Sequence, residues 1–445
     1  MTSETRALAE YVAGSDLDAV PHDVRREARR ALLNYVGCAL GGSVEPAVDV
    51  AVRVLAPYSG PPRSAVLGRR ERFDPLHAAL LNGIASHVHE FDDTTPKNYI
   101  HPSPPVASAL FAHAAAHRVS GADFVHAFIL GFEAESRVGD AVYPAHYEAG
   151  WHITATAGVF GAAAAIGRLL QLSAEQMVFA FGLAATQAAG IREMFGSMAK
   201  SFQPGRAAQN GYTAALLAAA SFTAGERAIE GPRGFAAVAA ARHDLTRITD
   251  GLGTRFSLRE NAYKPYACGI VVHPIIDGCS RLRERHRLDP ARVRAVRLEV
   301  APLVLDLCNH KTLHRALQSK YSIYHAAAIG LARGKGGLEE FTDEAVADPM
   351  LARLRARTTA VPNPRIGEDQ VRIEVELDDG DVLELFVEES LGNLRRPLTD
   401  AQLEEKFRDL AARALPAGRI DAVIERCRRI EELDDVGELV RAAVP

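Results

Sequence analysis

Apolar residues recur at helical spacing along roughly the first 255 residues, interrupted by short Gly or Pro breaks. Many of these runs are Ala-rich and apolar on most faces, which predicts helices packed inside a bundle or a dimer. The most apolar run, residues 154–170, is mainly Ala and Gly. It contains Arg168 and is short for a membrane span of about 20 residues, so it reads as a buried helix. Ser173-Ala-Glu-Gln176 is a capping box opening a helix through Gln187. A further Ala-rich helix is predicted over 207–222. After about Ser257 the period changes. Val296, Leu298 and Val300 alternate with Arg297 and Glu299, as in a strand. Val371, Ile373, Val375 and Leu377 alternate likewise. Asp378-Asp-Gly-Asp381 supplies a turn, and Leu383, Leu385 and Val387 resume the alternation, which predicts a hairpin. Helices are expected near 274–286 and 322–333, and Val361-Pro-Asn-Pro364 reads as a local loop. A charged helical pattern returns from about Thr399.

This order predicts a mostly α protein with an α+β second domain. A large all-helical domain (1–256) is interrupted by a smaller α+β domain (257–392), and 393–445 return to the first.

Composition narrows the class. The 445 residues are 48% hydrophobic and 24% charged, enough for a large core without bulk disorder. A formal net charge of -5 argues against nucleic acid or an anionic membrane as the main partner. The start, Met1-Thr-Ser-Glu-Thr-Arg6, has no basic stretch followed by an apolar one, so no signal peptide is expected. Cys38, Cys268, Cys279, Cys308 and Cys427 are dispersed and form no Cys-x-x-Cys pair. That disfavours zinc and iron–sulfur sites and suits a reducing cytoplasm.

Four segments carry candidate chemistry. The first, His87 to His101, packs three His, three acids, two Thr and a Lys into fifteen residues. Pro96 and Pro102 make a continuous helix untenable, so its second half is a loop. His-x-His with nearby Asp also resembles metal-ligand spacing, whereas the plain alternative is a capped helix end before a solvated loop. In the second, His152 of Gly150-Trp-His precedes an apolar helix with Thr154 and Thr156 as candidate caps. A helix N-terminus there would favour a substrate carboxylate. In the third, Lys200 and Arg206 flank a Pro-Gly turn ahead of an Ala-rich helix. Cations at a helix start oppose the helix dipole unless they face an anion. In the fourth, Lys264 lies between Tyr263 and Tyr266 and before Pro265, so it is held extended, suited to binding a carboxylate or moving a proton. Cys268 has no thiol-nucleophile context. Neither a dinucleotide fingerprint in a βαβ setting, nor a P-loop, nor Gly-x-Ser-x-Gly is present.

In order, the chain resembles the MmgE/PrpD family over nearly its whole length. The resemblance is carried by Phe91-Asp-Asp-Thr94, His101-Pro-Ser103, Gly150-Trp-His152, Lys200 with Gly205-Arg206-Ala-Ala, Tyr263-Lys264 with Ala267-Cys-Gly269, and Lys320-Tyr-Ser322. The family includes 2-methylcitrate dehydratase, cis-aconitate decarboxylase and iminodisuccinate epimerase. The resemblance implies a homodimer, a large helical and a smaller α+β domain with the active site in the cleft between them, and no metal or organic cofactor. It implies His101, His152, Lys200 and Lys264 as catalytic residues, and Asp93, Thr94, Arg206 and Tyr321 as substrate-binding ones. The sequence departs from the pattern at Glu90, where many relatives carry Asp, and the loop before His101 is about a residue longer.

The expected function is a cofactor-independent lyase of the 2-methylcitrate dehydratase type. It would abstract a proton next to a carboxylate of a small polycarboxylic acid. His101 or His152 would be the base, and Lys200, Arg206 and Lys264 would face the developing charge. The alternatives are an epimerase or decarboxylase on a related di- or tricarboxylate, and a non-catalytic binder of such acids.

Overall fold

In the computed structural model, which describes residues 3–445, the chain is mostly helical and clusters into two compact units. The first comprises the chain up to Val88, Asp92–Asn261 and Asp400–Pro445; the second comprises His89–Phe91 and Ala262–Thr399. Met1 and Thr2, at the start of the segment tested for a signal peptide, lie outside the described residues.

The first unit is built from α1 (His22–Gly42), α2 (Pro75–His87), α3 (Ser103–Ala114), α4 (Gly121–Val142), α5 (Ile153–Leu169), α6 (Ala174–Ala185) and α7 (Met198–Ala219), with further helices around them. Its centre is α5, buried on every side from Ile153 to Gly167 as its unbroken apolar run predicts. The capping box forms at Ser173 and Gln176, although α6 ends two residues short of Gln187, at Ala185. No helix among the described residues is long and apolar enough to cross a membrane.

One expectation is corrected at α7. The helix predicted from residue 207 begins at Met198, so Lys200, Pro204 and Arg206 lie inside it and not in a turn before it. A proline inside a helix removes a backbone donor and crowds the preceding turn, at a cost of about 3 kcal/mol. Packing overrides that cost. A Cβ on Gly83 of α2 would stand 2.3 Å from the Gly205 Cα, and one on Gly205 would stand 2.4 Å from the Leu80 carbonyl oxygen. The two helices therefore cross backbone to backbone. A Cβ on Gly211 would fall 2.5 Å from the Val159 carbonyl oxygen, so α7 lies equally close on α5.

The second unit holds a four-stranded sheet of β1 (Val293–Val300), β2 (Thr358–Pro362), β3 (Val371–Leu377) and β4 (Val382–Val387), in the order β2-β1-β3-β4. β3 and β4 form the antiparallel hairpin that the alternation predicts, with Val375 opposite Leu383. Val361 and Pro362, read as loop, instead end β2, which pairs in parallel with β1. A proline is tolerated there because β2 is an edge strand and Pro362 its last residue. Helix α8 (His273–His286) packs on β3 and β4 and against α9 (Ile323–Arg333).

Replacing a helical glycine with alanine ordinarily stabilises by up to about 1 kcal/mol. At Gly205 the sign should reverse, because the new methyl meets backbone that cannot rotate away. We expect Gly205→Ala to lose about 1–3 kcal/mol in urea denaturation. A neutral or stabilising result would show that the α2–α7 crossing is loose.

Candidate functional site

The polar segment from His87 to His101 is the link between α2 and α3. It is not a solvated loop: Asp92, Asp93, Thr94, Thr95 and Asn98 are fully buried. Its own polar groups hold it. Thr95 N donates to the Ile100 carbonyl at 2.9 Å, Ile100 N to Asn98 Oδ1 at 3.1 Å, and Asn98 Nδ2 to Asp140 Oδ1 at 2.7 Å. The Asp93 carboxyl accepts from the Ser103 hydroxyl and from Asn261 Nδ2 at 2.9 Å. Burial nevertheless pushes its pKa up to about 6, and the neighbouring Asp92 adds to the rise. Glu135 on α4 is also fully buried, and burial raises its carboxyl well above the usual range, with Asp93 contributing.

Around this loop the first unit gathers a compact acid–base cluster. His87, at the end of α2, is fully buried and lies with Nδ1 2.7 Å from Asp92 Oδ2. Its Nε2 lies 2.9 Å from Lys200 Nζ on α7. A lysine ammonium can only donate, so His87 Nε2 accepts and Nδ1 carries the hydrogen given to Asp92. His101 Nδ1 is 2.9 Å from the Asp93 carbonyl oxygen and 3.4 Å from Asp92 Oδ2. A carbonyl can only accept, so Nδ1–H is the donor and Nε2 is the basic nitrogen of neutral His101. The His87 ring is 5.0 Å from that of His101 and 5.9 Å from that of His152. Phe195 closes one side, its ring 5.3 Å from His152 and 5.1 Å from Lys200 Nζ. Thr94 Oγ1, also buried, has no hydrogen-bond partner among the described residues.

His87, Asp92 and His101 are spaced to hold a metal ion, with candidate ligand atoms within 4.8 Å of one another. The donor chemistry does not fit. His101 Nδ1 is committed as a donor to a carbonyl, and the ammonium of Lys200 sits on the far nitrogen of His87. A ligating imidazole normally donates from that far nitrogen to an acceptor. Here it meets a second cation.

Other expected roles are reassigned. His152 is the N-cap of α5 but makes no side-chain capping bond. Nor do the two threonines cap the helix, because other groups claim their hydroxyls. Thr154 Oγ1 accepts from the His101 backbone N–H at 3.0 Å, and Thr156 Oγ1 pairs with His146 Nε2 at 2.8 Å. Arg206 does not join the cluster: it emerges on the exposed face of α7 and bonds Gln209. Its distance along the helix from Lys200 turns it away. Lys97 is tied to Asp140 at 2.7 Å and to Glu260.

The remaining predicted residues belong to the second unit. Lys264 is fully buried, donates to the Glu90 carbonyl at 3.2 Å and lies 3.9 Å from the Glu90 carboxylate. Glu90 adopts a left-handed backbone (φ 57), unusual for a non-glycine residue. Lys320 Nζ donates to the carbonyls of His89 and Ala267, both at 2.8 Å, and so pins the segment that carries Glu90. Tyr321 is buried beside Gly269. Burial pushes the Cys268 thiol up to about 12, in line with its lack of a nucleophilic role. Sequence reasoning did not single out His87 or Phe195 as members of this cluster. The acid five residues after His87 was the available signal for the first; nothing local marks the second.

A helical unit that buries histidines, a lysine and carboxyls in one contact network is equipped for proton transfer. Residues 6–248 match the MmgE/PrpD N-terminal domain and 266–430 the MmgE/PrpD C-terminal domain, so the chain belongs to the MmgE/PrpD family. It is similar to a cis-aconitate decarboxylase-like protein of Aspergillus oryzae, 29% identical over 98% of this chain and 96% of the relative. Cis-aconitate decarboxylases of Aspergillus terreus (25% identical, 98% of this chain and 95% of the relative) and Homo sapiens (24%, 99% and 94%) also match. The protein is therefore an enzyme of the lyase type.

The raised pKa of Asp93 has a stability signature. Between its ordinary value, near 4, and about 6, the folded chain keeps a proton that the unfolded chain has released. Stability therefore falls as pH rises through that window. Relative to Asp93→Asn, the wild type should lose on the order of 2–3 kcal/mol between pH 4 and pH 7. Paired urea melts at the two pH values check this; a pH-independent difference would place the ionised carboxylate in the fold.

Proposed function

We propose that the protein is a cofactor-independent lyase acting on a small polycarboxylic acid, with charge developing on a carbon next to a carboxylate. The observation that carries this reading is the fixed tautomer of His101. Its basic Nε2 belongs to the same buried cluster as His152 and the Lys200 ammonium. A weak carbon acid needs a base of suitable strength and a fixed cation for the developing charge.

Dehydration and decarboxylation use such a cluster differently. In dehydration a base takes the C–H proton, the electron pair forms the double bond, and hydroxide leaves with a proton from an acid. In decarboxylation the C–C bond breaks, CO₂ departs with the pair left on carbon, and an acid protonates that carbon. His101 and His152 would share the acid and base roles. Lys200 would pair with a substrate carboxylate, while Asp93 and Thr94 would shape the wall beside His101. Lys264 is proposed as a further catalytic residue and Tyr321 as a substrate-binding one, both on their motif matches. Among tricarboxylates, cis-aconitate is the first to test, because the similar proteins carry the name of its decarboxylase. A 2-methylcitrate-type dehydration is the second.

We also propose a homodimer. Met198, Phe202, Leu216 and Leu217 on α7 are exposed apolar side chains, a face that a second copy would cover. Five buried free cysteines suit a cytoplasmic location.

Incubation with cis-aconitate, 2-methylcitrate and iminodisuccinate in D₂O, followed by proton NMR, separates the outcomes. Decarboxylation and dehydration give distinct products, and solvent exchange at carbon without net conversion indicates epimerisation. Binding without exchange or turnover would overturn the enzymatic reading of this cluster. On the active substrate, His101→Ala and Lys200→Ala should each lose roughly 10²–10⁴-fold in kcat/KM while remaining folded. Near-wild-type rates in both would move the chemistry elsewhere.

A further inference from the structure

We infer that His87 is a positioning residue that acts through Lys200, an inference that rests on the function proposed above for Lys200. His87 is fully buried at the end of α2, so it is placed to serve its neighbours and not to meet solvent. It bridges two charged groups, Asp92 at 2.7 Å on Nδ1 and Lys200 at 2.9 Å on Nε2.

The order of the three groups has a physical consequence. A carboxylate placed directly on Lys200 would orient the ammonium but also neutralise it, leaving little field for a substrate carboxylate. Coulomb attraction falls with distance, so a neutral imidazole between the two fixes the direction of the ammonium without adding a negative charge of its own. Asp92 orders the ring by accepting its Nδ1 hydrogen, and the ring presents a lone pair to the ammonium. The same Asp92 oxygen lies 3.4 Å from His101 Nδ1, close enough to favour the imidazolium that forms when His101 takes a proton. One buried carboxylate thus serves the base directly and the cation through a spacer. The Phe195 ring, 5.1 Å from Lys200 Nζ, limits the ammonium on another side without neutralising it.

Two substitutions separate the halves of the bridge. Asn at 87 places an amide near the Nδ1 position and keeps a donor for Asp92, but offers nothing to Lys200. Gln reaches the Nε2 position with a carbonyl that accepts from the ammonium. On the active polycarboxylate, His87→Asn should lose roughly 10–100-fold in kcat/KM, the range for one hydrogen bond to a charged group, and His87→Gln less than about fivefold. In a Lys200→Ala background, His87→Asn should add less than about twofold, because the partner through which it acts is gone. Equal losses in folded His87→Asn and His87→Gln, or an additive loss in the double variant, would overturn the inference.

A measurement without substrate completes the test. Histidine ¹⁵N NMR should find His87 as the Nδ1–H tautomer, with its Nε2 resonance displaced in Lys200→Ala. The opposite tautomer, or no displacement, would also overturn the inference. If the wild type turns over none of the three acids, the functional reading fails while the NMR result still decides the His87–Lys200 link.

Discussion

The backbone contact between Gly83 and Gly205 is the constraint on which the acid–base cluster depends. Side chains of ordinary size keep crossing helices about 8–10 Å apart. Two glycines let α2 and α7 approach until a Cβ on either would strike the other helix's backbone. His87 lies one turn beyond Gly83 and Lys200 a little more than one turn before Gly205. The close crossing therefore brings the end of one helix to the start of the other, where a 2.9 Å bond joins imidazole and ammonium. It also explains the proline within α7: with the next residue clamped against α2, tertiary packing holds a helix that local chemistry alone would break.

A second constraint is burial. Placing ionisable groups in a dry interior is costly unless each is paired or loses its charge. The first unit uses both routes. Lys200 and Asp92 are joined through His87, whereas burial pushes the carboxyls of Asp93 and Glu135 toward their neutral forms. Arg137 on α4 shows the same rule away from the cluster. It is buried, pairs with Glu133, and donates to the carbonyls of Ile248, Asp250 and Arg255 at 2.8–3.0 Å.

Much of this was legible in the sequence, unevenly. Periodicity identified the buried run of α5 and the β3–β4 hairpin, since both patterns record which faces are dry. The family was legible because its short motifs occur in order. What failed depended on packing between distant residues. Pro204 and Gly205 read as a turn because their local preference is a turn, and the partner that overrides it, Gly83, lies over a hundred residues earlier. Arg206 read as part of an anion site because it is cationic and near Lys200 in sequence; the helix that joins them sends the two side chains to different faces. Of the readings open for the segment after His87, the solvated loop is the one that fails. The segment's polar groups bond one another and Asp140 of α4, which lets it stay buried.

Glu90 is where sequence and structure raise the same question. Its carboxylate lies 3.9 Å from the ammonium of the fully buried Lys264, its carbonyl takes a bond from that ammonium, and its backbone is left-handed. A non-glycine residue in that region is held there by its surroundings. Here the restraint includes Lys320, which grips the preceding His89 carbonyl. Glutamate at this position has one more methylene than aspartate with which to approach Lys264. The further the carboxylate reaches, the more of the lysine's charge it neutralises. His87 links Lys200 to Asp92 through its ring, whereas the Glu90 carboxylate itself lies near Lys264. The two lysines therefore differ in a near neighbour: an imidazole lies against Lys200 and a carboxylate against Lys264.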